Sequence, residues 1–448
     1  MNALKRKRKM KRLVRRFIRT CIIMIPILLL IGIAAFFIKG QQKDNDKDSQ
    51  EVVLKDEEES TSEPEAEPEP EPIRASILSA GDIIMHDPLL TSAYYKKTDG
   101  SFDYNSLFRY IQADYKAADF TVLNLECTIA DGNYKGYPNF RAPSAIVAAM
   151  ANNHVNACML ANNHIYDNLE KGFRMTMDAV ESNNLLYMGV RKTTNEKTYT
   201  IQEINGIKVG FFNYVYNTGA KDGQNISINA IAVNNAISPL INTFNYGNLQ
   251  GLYSNIQTGL EEMKAAGVEY TIAYIHWGAE YQMTENSRQR QIAAALCELG
   301  IDALIGGHPH VVQPVDLLTN TAGDHQMLCV YSLGNHLSNQ YQERMDSCPS
   351  GHTEDGLMVN LVIEKGNDGT VSLVQADFIP TWVYRTVGEP DEGNPEYFIM
   401  PLNKPEQLIK EAAALHIASD VQTSLNRTNT IIGNGVTKIQ SALPIRAK

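Results

Sequence analysis

The amino-acid sequence predicts an α/β fold for most of the chain. Two observations support this prediction. Short apolar runs that suit buried strands alternate with amphipathic segments of helical spacing, and polar clusters follow several of the apolar runs. The chain has 448 residues, of which 44% are hydrophobic and 20% charged. This ordinary globular composition excludes a wholly disordered or collagen-like protein.

The first 40 residues have the pattern of a membrane anchor. They contain eleven Lys or Arg and no Asp or Glu, and an uncharged run covers residues 20–38. A helix of that length rises about 28 Å, close to the ~30 Å hydrocarbon core of a bilayer. Because positive flanks stay in the cytoplasm, we predict a cytoplasmic segment over 1–19, a transmembrane helix over 20–38 and an extracellular main domain. A cleaved signal peptide is the alternative, although no small-x-small cleavage site follows the run.

Residues 41–73 form an acidic segment with thirteen Asp or Glu against three Lys or Arg, and it ends in a Glu-Pro run. Like charges repel and proline interrupts regular structure, so we predict a disordered stalk over 39–73. A specific acidic docking motif is the alternative. Residues 74–448 carry 26 basic and 38 acidic residues. Since phosphate binding needs clustered positive charge, this balance argues against nucleic acid as a partner and against an extracellular nuclease.

The predicted elements of the main domain, residues 74–385, begin with short apolar strands. These strands cover 76–80, 120–124, 155–160, 209–214, 270–276, 303–305 and 327–332. Two amphipathic helices are predicted over 252–263 and 292–299, each ended by a glycine. A hairpin is predicted over 357–364 and 371–378, and a last helix over 404–416 in a C-terminal extension of residues 386–448.

Polar clusters follow five of these strands, which predicts that residues distant in sequence converge. In open α/β sheets, ligands bind beyond the carboxyl ends of the strands. Aspartate, glutamate, asparagine and histidine together form the ligand set of a two-metal hydrolytic site. The residues predicted to converge are Asp82, Glu126, Asn163, His164, His276, His308 and His310.

His308 and His310 are the most specific pair in this set. They stand two positions apart around Pro309, directly after an apolar strand and two glycines that permit a tight turn. Alternate positions on an extended segment point the same way, so both imidazoles can face one metal pair. By contrast, His154 is predicted to end a helix, and His336 receives no role.

Several members of the set have structural alternatives. Asp82 follows a glycine at a strand end and could start a turn, and Glu126 could be an outward-facing strand residue. Asn163 could be a helix N-cap. Trp277 and Tyr281 suit packing as well as they suit substrate stacking.

Six segments of the chain together resemble the CapA family of bacterial capsule synthesis proteins, which are associated with poly-γ-glutamate. The segments are 81–85, 124–126, 161–164 with Asp167, 276–281, 307–313 and 331–335. The resemblance covers about residues 75–385. Because that family is similar to calcineurin-like metallophosphoesterases, the resemblance implies a sandwich of two β-sheets flanked by helices. It also implies an N-terminal membrane anchor.

The resemblance implies two divalent metal ions, for which manganese, iron and zinc are the candidates. Asp82 would bind one ion, and Glu126 would bridge both. Asn163 and His276 would bind the second ion, while His308 and His310 would each bind one ion. The related superfamily has a histidine two residues after the aspartate, whereas this chain has Ile84 there, and His86 is the candidate replacement.

The same resemblance guides the assignment of residues to proton transfer and to substrate binding. His164 would be the general acid for the leaving group, oriented by Asp167. Trp277, Glu280, Tyr281 and Asn335 are predicted to bind substrate. No residue is assigned to an organic cofactor.

Two functions remain open from the sequence. The first is a membrane-anchored extracellular protein of capsule or poly-γ-glutamate synthesis or attachment, with a two-metal hydrolase-type site that acts on a phosphoester or an amide. The second is a non-catalytic subunit of a membrane synthase complex, which binds or exports the polymer. Both predict an anionic polymer and membrane synthase subunits as partners.

Overall fold

A mixed α/β fold forms the part of the chain that the computed structural model describes, which is residues 71–219, 226–386, 395–404, 410 and 412–448. The predicted cytoplasmic segment and transmembrane helix, and the predicted stalk up to residue 70, lie outside these residues. Within the described part, no helix is long and apolar enough to cross a bilayer.

The regular elements are numbered in chain order. Strands β1 to β20 are Ile73–Ile83, Phe120–Leu125, Thr128–Ile129, Arg141–Ala142, Ala157–Met159, Leu186–Met188, Tyr199–Ile204, Ile207–Asn217, Ser227–Ile228, Ile231–Ala232, Thr243–Asn245, Tyr270–His276, Ala303–Gly307, Val315–Thr319, Gln326–Val330, Asn335–Leu337, Asp355–Lys365, Val371–Arg385, Tyr397–Pro401 and Ile445–Arg446. Helices α1 to α7 are Asp87–Thr91, Gln112–Ala117, Ala145–Asn152, Leu169–Ser182, Gln250–Ala265, Ser287–Leu299 and Ala418–Ala442.

Most of the strands belong to two mixed sheets. The first sheet has the order β19-β18-β17-β1-β2-β5-β6, with β16 beside β1 and β20 beside β18. The second has the order β11-β8-β12-β13-β15-β14, with β7 beside β8. In the first sheet β1, β2, β5 and β6 run parallel, and in the second β8, β12, β13 and β15 do. The carboxyl ends of each parallel set therefore lie at one edge of their sheet.

An apolar layer joins the two sheets face to face. Ile77 and Val122 from the first sheet share one buried cluster with Phe211, Ile272 and Ile305 from the second. These side chains alternate along their strands with others that face outward, as the period of two for a strand requires. The sheets therefore form a sandwich around a common core.

Helices cover the outer faces of both sheets. On the first sheet, Leu78 and Leu123 pack in one cluster with Met150 of α3 and Phe173 of α4. On the second sheet, Leu304 packs with residues of α5 and α6. The arrangement is therefore a two-sheet sandwich with helices outside, as the resemblance implied.

The predicted elements are present with shifted bounds. The run predicted over 155–160 is paired only at Ala157–Met159, and the predicted hairpin is confirmed as β17 and β18. Helix α6 ends at Gly300, whose φ of 95° lies in the left-handed region that favours glycine. Of the helix predicted over 404–416, the described residues 410 and 412–414 are helical.

The long helix α7 was not predicted from the sequence. Its buried side contains Ser424 and Thr428 between Val421 and Ile432, which interrupts the apolar spacing that signals an amphipathic helix. The helix packs against β14, β17 and β18, and the following strand β20 pairs with β18. The Ile432 and Ile439 side chains of α7 belong to the apolar cluster between the two sheets. Residues beyond 385 therefore complete the first sheet and part of the shared core, although the predicted domain boundaries stay predictions.

Candidate metal centre

The residues predicted to converge lie together at the carboxyl ends of the parallel strands. Asp82 is near the end of β1, and Glu126 directly follows β2. His276 ends β12, and His308 directly follows β13. Because the parallel strands of both sheets end on the same side of the sandwich, side chains from distant parts of the chain meet there.

Two groups of potential ligand atoms share one carboxylate. The first ligand group is Asp82, Glu126 and His310, and the second ligand group is Glu126, His276 and His308. Within each group the ligand atoms all lie within 4.8 Å of one another. The Glu126 Oε1 atom is 3.8 Å from His310 Nε2 and 3.6 Å from His276 Nε2. This is the position that a bridging ligand between two ions requires.

Asn163 adds an amide oxygen to the second ligand group. Its Oδ1 lies 2.7 Å from His276 Nε2, and its side chain is buried. The alternative that Asn163 caps a helix is not seen, since α4 begins only at Leu169 and its first turn receives no side-chain cap from Asn163. The six predicted metal ligands are therefore all in one cluster.

The chemistry of the cluster fits bound cations. The Glu126 Oε1 and His308 Nδ1 atoms are buried and have no hydrogen-bond partner among the described residues. A buried polar atom without a partner costs roughly 1–3 kcal/mol, and a metal ion would satisfy both atoms. Carboxylate oxygens with imidazole nitrogens suit first-row divalent metals and zinc.

The backbone that carries the two histidines is held in an uncommon conformation. His308 has a φ of 99° and His310 a φ of 57°, and residues other than glycine rarely adopt such positive φ angles. Gly307 precedes them, and a Cβ atom there would lie 3.3 Å from Asp82 Oδ1. Strain of this kind is concentrated at functional sites, where the surrounding structure offsets it.

Burial and neighbouring charges set the protonation states of the cluster. Burial lowers the pKa of His308 to about 3 and that of His276 well below its ordinary value, so both imidazoles are neutral and able to bind metal. Burial, together with the charge of Asp82, raises the pKa of Glu126 well above its usual range. For Asp82 burial acts in the same direction, but the hydrogen bond and charge of His310 outweigh it and lower the pKa.

His164 and Asp167 form a pair beside the cluster. The His164 Nδ1 and Asp167 Oδ2 atoms are 2.7 Å apart, and both residues are largely buried. Asp167 is held in turn by the Phe140 N–H at 2.7 Å and by the Asn229 side-chain amide at 3.2 Å. The carboxylate therefore orients the imidazole through its Nδ1 atom.

The four residues predicted to bind substrate lie in different surroundings. The prediction for Trp277 is not supported: its indole is fully buried against Tyr331 and donates to the Tyr331 carbonyl at 2.9 Å. Asn335 is also fully buried, and its Oδ1 lies 3.2 Å from His310 Nδ1. It therefore orients the His310 ring, which belongs to the first ligand group. Glu280 is exposed and Tyr281 half-buried, and both remain candidates for contact with substrate.

His86 does not replace the missing histidine of the first motif. It lies outside both ligand groups, and its Nδ1 accepts a hydrogen bond from the Asn339 N–H at 3.1 Å. Ile84, at the position in question, is buried in the apolar core. The first ligand group therefore has three members from the predicted set.

Sequence reasoning missed some residues that support the cluster. Asn124 donates to Asp82 Oδ1 at 2.7 Å and to Glu126 Oε2 at 3.1 Å. The Tyr216 hydroxyl lies 3.2 Å from His308 Nε2. The position of Asn124 two residues before Glu126 at a strand end was a usable signal, whereas nothing local marks Tyr216.

The fold and the cluster define a class: a mixed α/β protein with a candidate metal centre where the strands of its two sheets end. The family model "Bacterial capsule synthesis protein PGA_cap" matches residues 76–340, more than half of the chain, and the protein belongs to this family. The match begins in β1 and includes every residue of both ligand groups. The resemblance inferred from the six segments is thereby confirmed.

Two curated relatives are similar to the chain over much of its length. "PGA biosynthesis protein CapA" of Bacillus subtilis (strain 168) is 25% identical over 312 residues, which is 67% of this chain and 72% of that protein. "Capsule biosynthesis protein CapA" of Bacillus anthracis is 24% identical over 274 residues, and the match spans 60% of each chain.

Proposed function

We propose that the protein acts outside the cytoplasmic membrane in the synthesis or attachment of an anionic capsule polymer of the poly-γ-glutamate type. In this proposal it uses a two-metal hydrolase site of the metallophosphoesterase kind. The observation that carries the catalytic part is the shared position of Glu126 in both ligand groups. Membership of the capsule synthesis family and the names of the two relatives support the assignment of a capsule polymer to this protein.

The residues that would hold the ions are those of the two ligand groups together with Asn163. When bound, a pair of divalent ions activates water and stabilises negative charge on the reacting group. Asn124 keeps the Asp82 and Glu126 carboxylates in place, because one amide donates to both. Asn335 Oδ1 lies 3.2 Å from His310 Nδ1 and helps to orient that ring.

His164 supplies the proton that a leaving group needs. Asp167 accepts a hydrogen bond from Nδ1 and holds the ring in position, and the imidazolium form would give its Nε2 proton to the departing oxygen or nitrogen. Glu280 and Tyr281 lie on the segment that follows His276, and in this proposal they contact the chain being cleaved.

The test measures metal content and turnover of the full-length protein. Elemental analysis is paired with phosphoester and γ-glutamyl hydrolysis assays, each with and without chelator. His164→Asn is expected to lower turnover by roughly a hundredfold or more while metal content stays unchanged, since the residue transfers protons and binds no ion. His154→Asn is the matched control, because this exposed histidine after α3 has a φ of 67°, which asparagine tolerates.

The non-catalytic alternative gives a different result. Capsule polymer output is measured in cells that carry the wild type, His164→Asn or His308→Asn. If the purified protein holds no metal and both variants leave output unchanged, the hydrolase proposal fails. A protein that only binds polymer would then account for the family membership.

A further inference from the structure

A polar cavity lies between α7 and the end of β18. Its volume is about 550 Å³, and we call it the arginine cavity because Arg344, Arg385 and Arg427 all line it. Aromatic side chains form its wall, where the rings of Trp382 and Tyr384 stack at 5.7 Å. None of these residues belongs to either ligand group.

The three guanidinium groups differ in the contacts that they already make, and that of Arg385 is also hydrogen-bonded to the Tyr397 side chain. Arg427 is engaged, since it donates to both oxygens of Asp355 at 2.6 and 2.7 Å. Among the described residues, neither Arg344 nor Arg385 forms an ion pair with a carboxylate. The Arg385 Nε–H is buried without a hydrogen-bond partner in the described part of the chain, and the guanidinium lies 5.6 Å from the centre of the Tyr341 ring.

Three carboxylates also line the cavity, and one of them is already engaged by hydrogen-bond donors. Glu354 already accepts from the Gln342 N–H at 2.9 Å and from the Trp382 indole at 3.1 Å. The other two, Glu343 and Asp420, are exposed at the surface. The interior therefore offers a buried donor that lacks an acceptor, and a carboxylate has the planar geometry that a guanidinium binds best.

One segment connects the arginine cavity with the metal centre. Asn335 orients His310, and its amide donates to Gln340 Oε1 at 2.8 Å. Gln340 in turn donates to the Tyr281 hydroxyl at 3.3 Å, at the candidate substrate surface. The next residue, Tyr341, lines the arginine cavity. The residues that orient His310 and those that line the arginine cavity are therefore neighbours in this segment.

We propose that the arginine cavity binds carboxylate groups of an anionic polymer chain, as a second subsite that does not depend on metal. The identity of the polymer rests on the proposed function, whereas the subsite does not rest on hydrolysis. The described domain has a net negative charge over residues 74–448, so a polyanion needs local donors of this kind to be held.

The test measures binding of a γ-linked glutamate oligomer to the full-length protein in the presence of chelator at low ionic strength. Arg344→Gln combined with Arg385→Gln is expected to weaken binding about tenfold or more, because two charge-assisted contacts are lost. The matched control is Arg174→Gln with Arg290→Gln, which removes two exposed guanidiniums that pair with Glu170 and Glu285. The control is expected to bind as the wild type does.

Several outcomes would overturn the subsite. They are unchanged binding in the Arg344 and Arg385 variants, an equal loss in the control, or loss of all wild-type binding on chelation. Displacement of the oligomer by free glutarate or inorganic phosphate at equal concentration would contradict a polymer subsite. Arg344→Gln alone is measured as well, since this exposed residue can be changed without loss of folding.

The two proposals can fail separately. If chelation abolishes hydrolysis but leaves oligomer binding intact, both proposals hold. If no hydrolysis is found under any condition but the double variant still loses binding, the hydrolase fails and the subsite stands.

Discussion

At the scale of single residues, the candidate metal centre depends most on Glu126. Its carboxylate belongs to both ligand groups, it is fully buried, and one of its oxygens has no hydrogen-bond partner among the described residues. The other ligands belong to one group each. Loss of Glu126 therefore affects both sites, whereas loss of a histidine affects one.

We expect Glu126→Gln to reduce the metal content of the purified protein close to zero. The amide has no charge to hold two cations, and its nitrogen cannot act as a ligand. His308→Asn is expected to remove only the ion of the second ligand group, so about half of the metal remains. Elemental analysis checks both variants, and Glu285→Gln, a change at a surface ion pair, is the control. Equal metal loss in Glu126→Gln and His308→Asn would contradict a shared ligand.

Metal affinity is expected to rise with pH. Without metal, burial and the Asp82 charge hold the pKa of Glu126 well above its usual range, so the carboxyl group carries a proton at low pH. Binding requires the carboxylate and must release that proton, so affinity increases until the pH exceeds the raised pKa. Calorimetric titrations in buffers of different ionisation enthalpy measure the proton released. Affinity that falls as the pH rises would contradict this assignment.

At the scale of elements, the first ligand group depends on the close approach of β1 to the segment before β16. Asp82 lies opposite Asn335 in a parallel pair, and the Asp82 N–H donates to the Gly334 carbonyl at 3.1 Å. Gly81 has no side chain, and a Cβ atom there would overlap the Gly334 carbonyl oxygen. Glycine is therefore needed at 81 for packing, because the backbones touch.

We expect Gly81→Ala to lower the free energy of unfolding by about 1–3 kcal/mol, since overpacking of a buried position costs that amount. It should also reduce metal binding, because Asp82 and Asn335 would be pushed apart. Gly251→Ala in α5 is the control, because a Cβ atom there meets nothing within 4 Å and alanine favours a helix. Denaturant unfolding, followed by circular dichroism, measures the free energy of unfolding of both variants. A neutral Gly81→Ala would contradict the close packing described here.

At the scale of the whole molecule, the chain divides into parts of opposite charge. The first 40 residues are strongly basic, residues 41–73 are strongly acidic, and the remainder carries 26 basic and 38 acidic residues. The net charge of −11 describes none of these parts. The distribution agrees with a predicted anchor, a predicted stalk and an acidic domain that needs cations or local arginines to hold a polyanion.

The membrane anchor is testable by fractionation. We expect the full-length protein to stay with the membrane pellet after a carbonate wash, because the apolar run over 20–38 is long enough to span a bilayer. Deletion of residues 20–38 should move the protein to the supernatant. Amino-terminal sequencing of the membrane-bound protein distinguishes an intact anchor from a cleaved signal peptide, and a processed terminus after residue 38 would contradict the anchor.

Much of the candidate site was predictable because its ligands follow strands. Apolar runs are visible in the sequence, and the rule that ligands bind at strand carboxyl ends then brought seven distant residues into one prediction. The error at Trp277 arose because adjacent positions at the end of β12 point in opposite directions, so His276 reaches the cluster while the indole packs into the core. Direction at a strand end is set by the turn that follows, which local sequence does not specify.

The sequence by itself determined the α/β class, the strand ends that carry the ligands, and the family. These depend on local apolar patterns and on short motifs, both of which are visible in the sequence. Only the tertiary structure decided that Asn124 and Asn335 orient the ligands and that α7 closes an arginine-lined cavity against the first sheet. Such features are distances between segments far apart in the chain, and they follow from how two sheets and their covering helices pack, which no local pattern encodes.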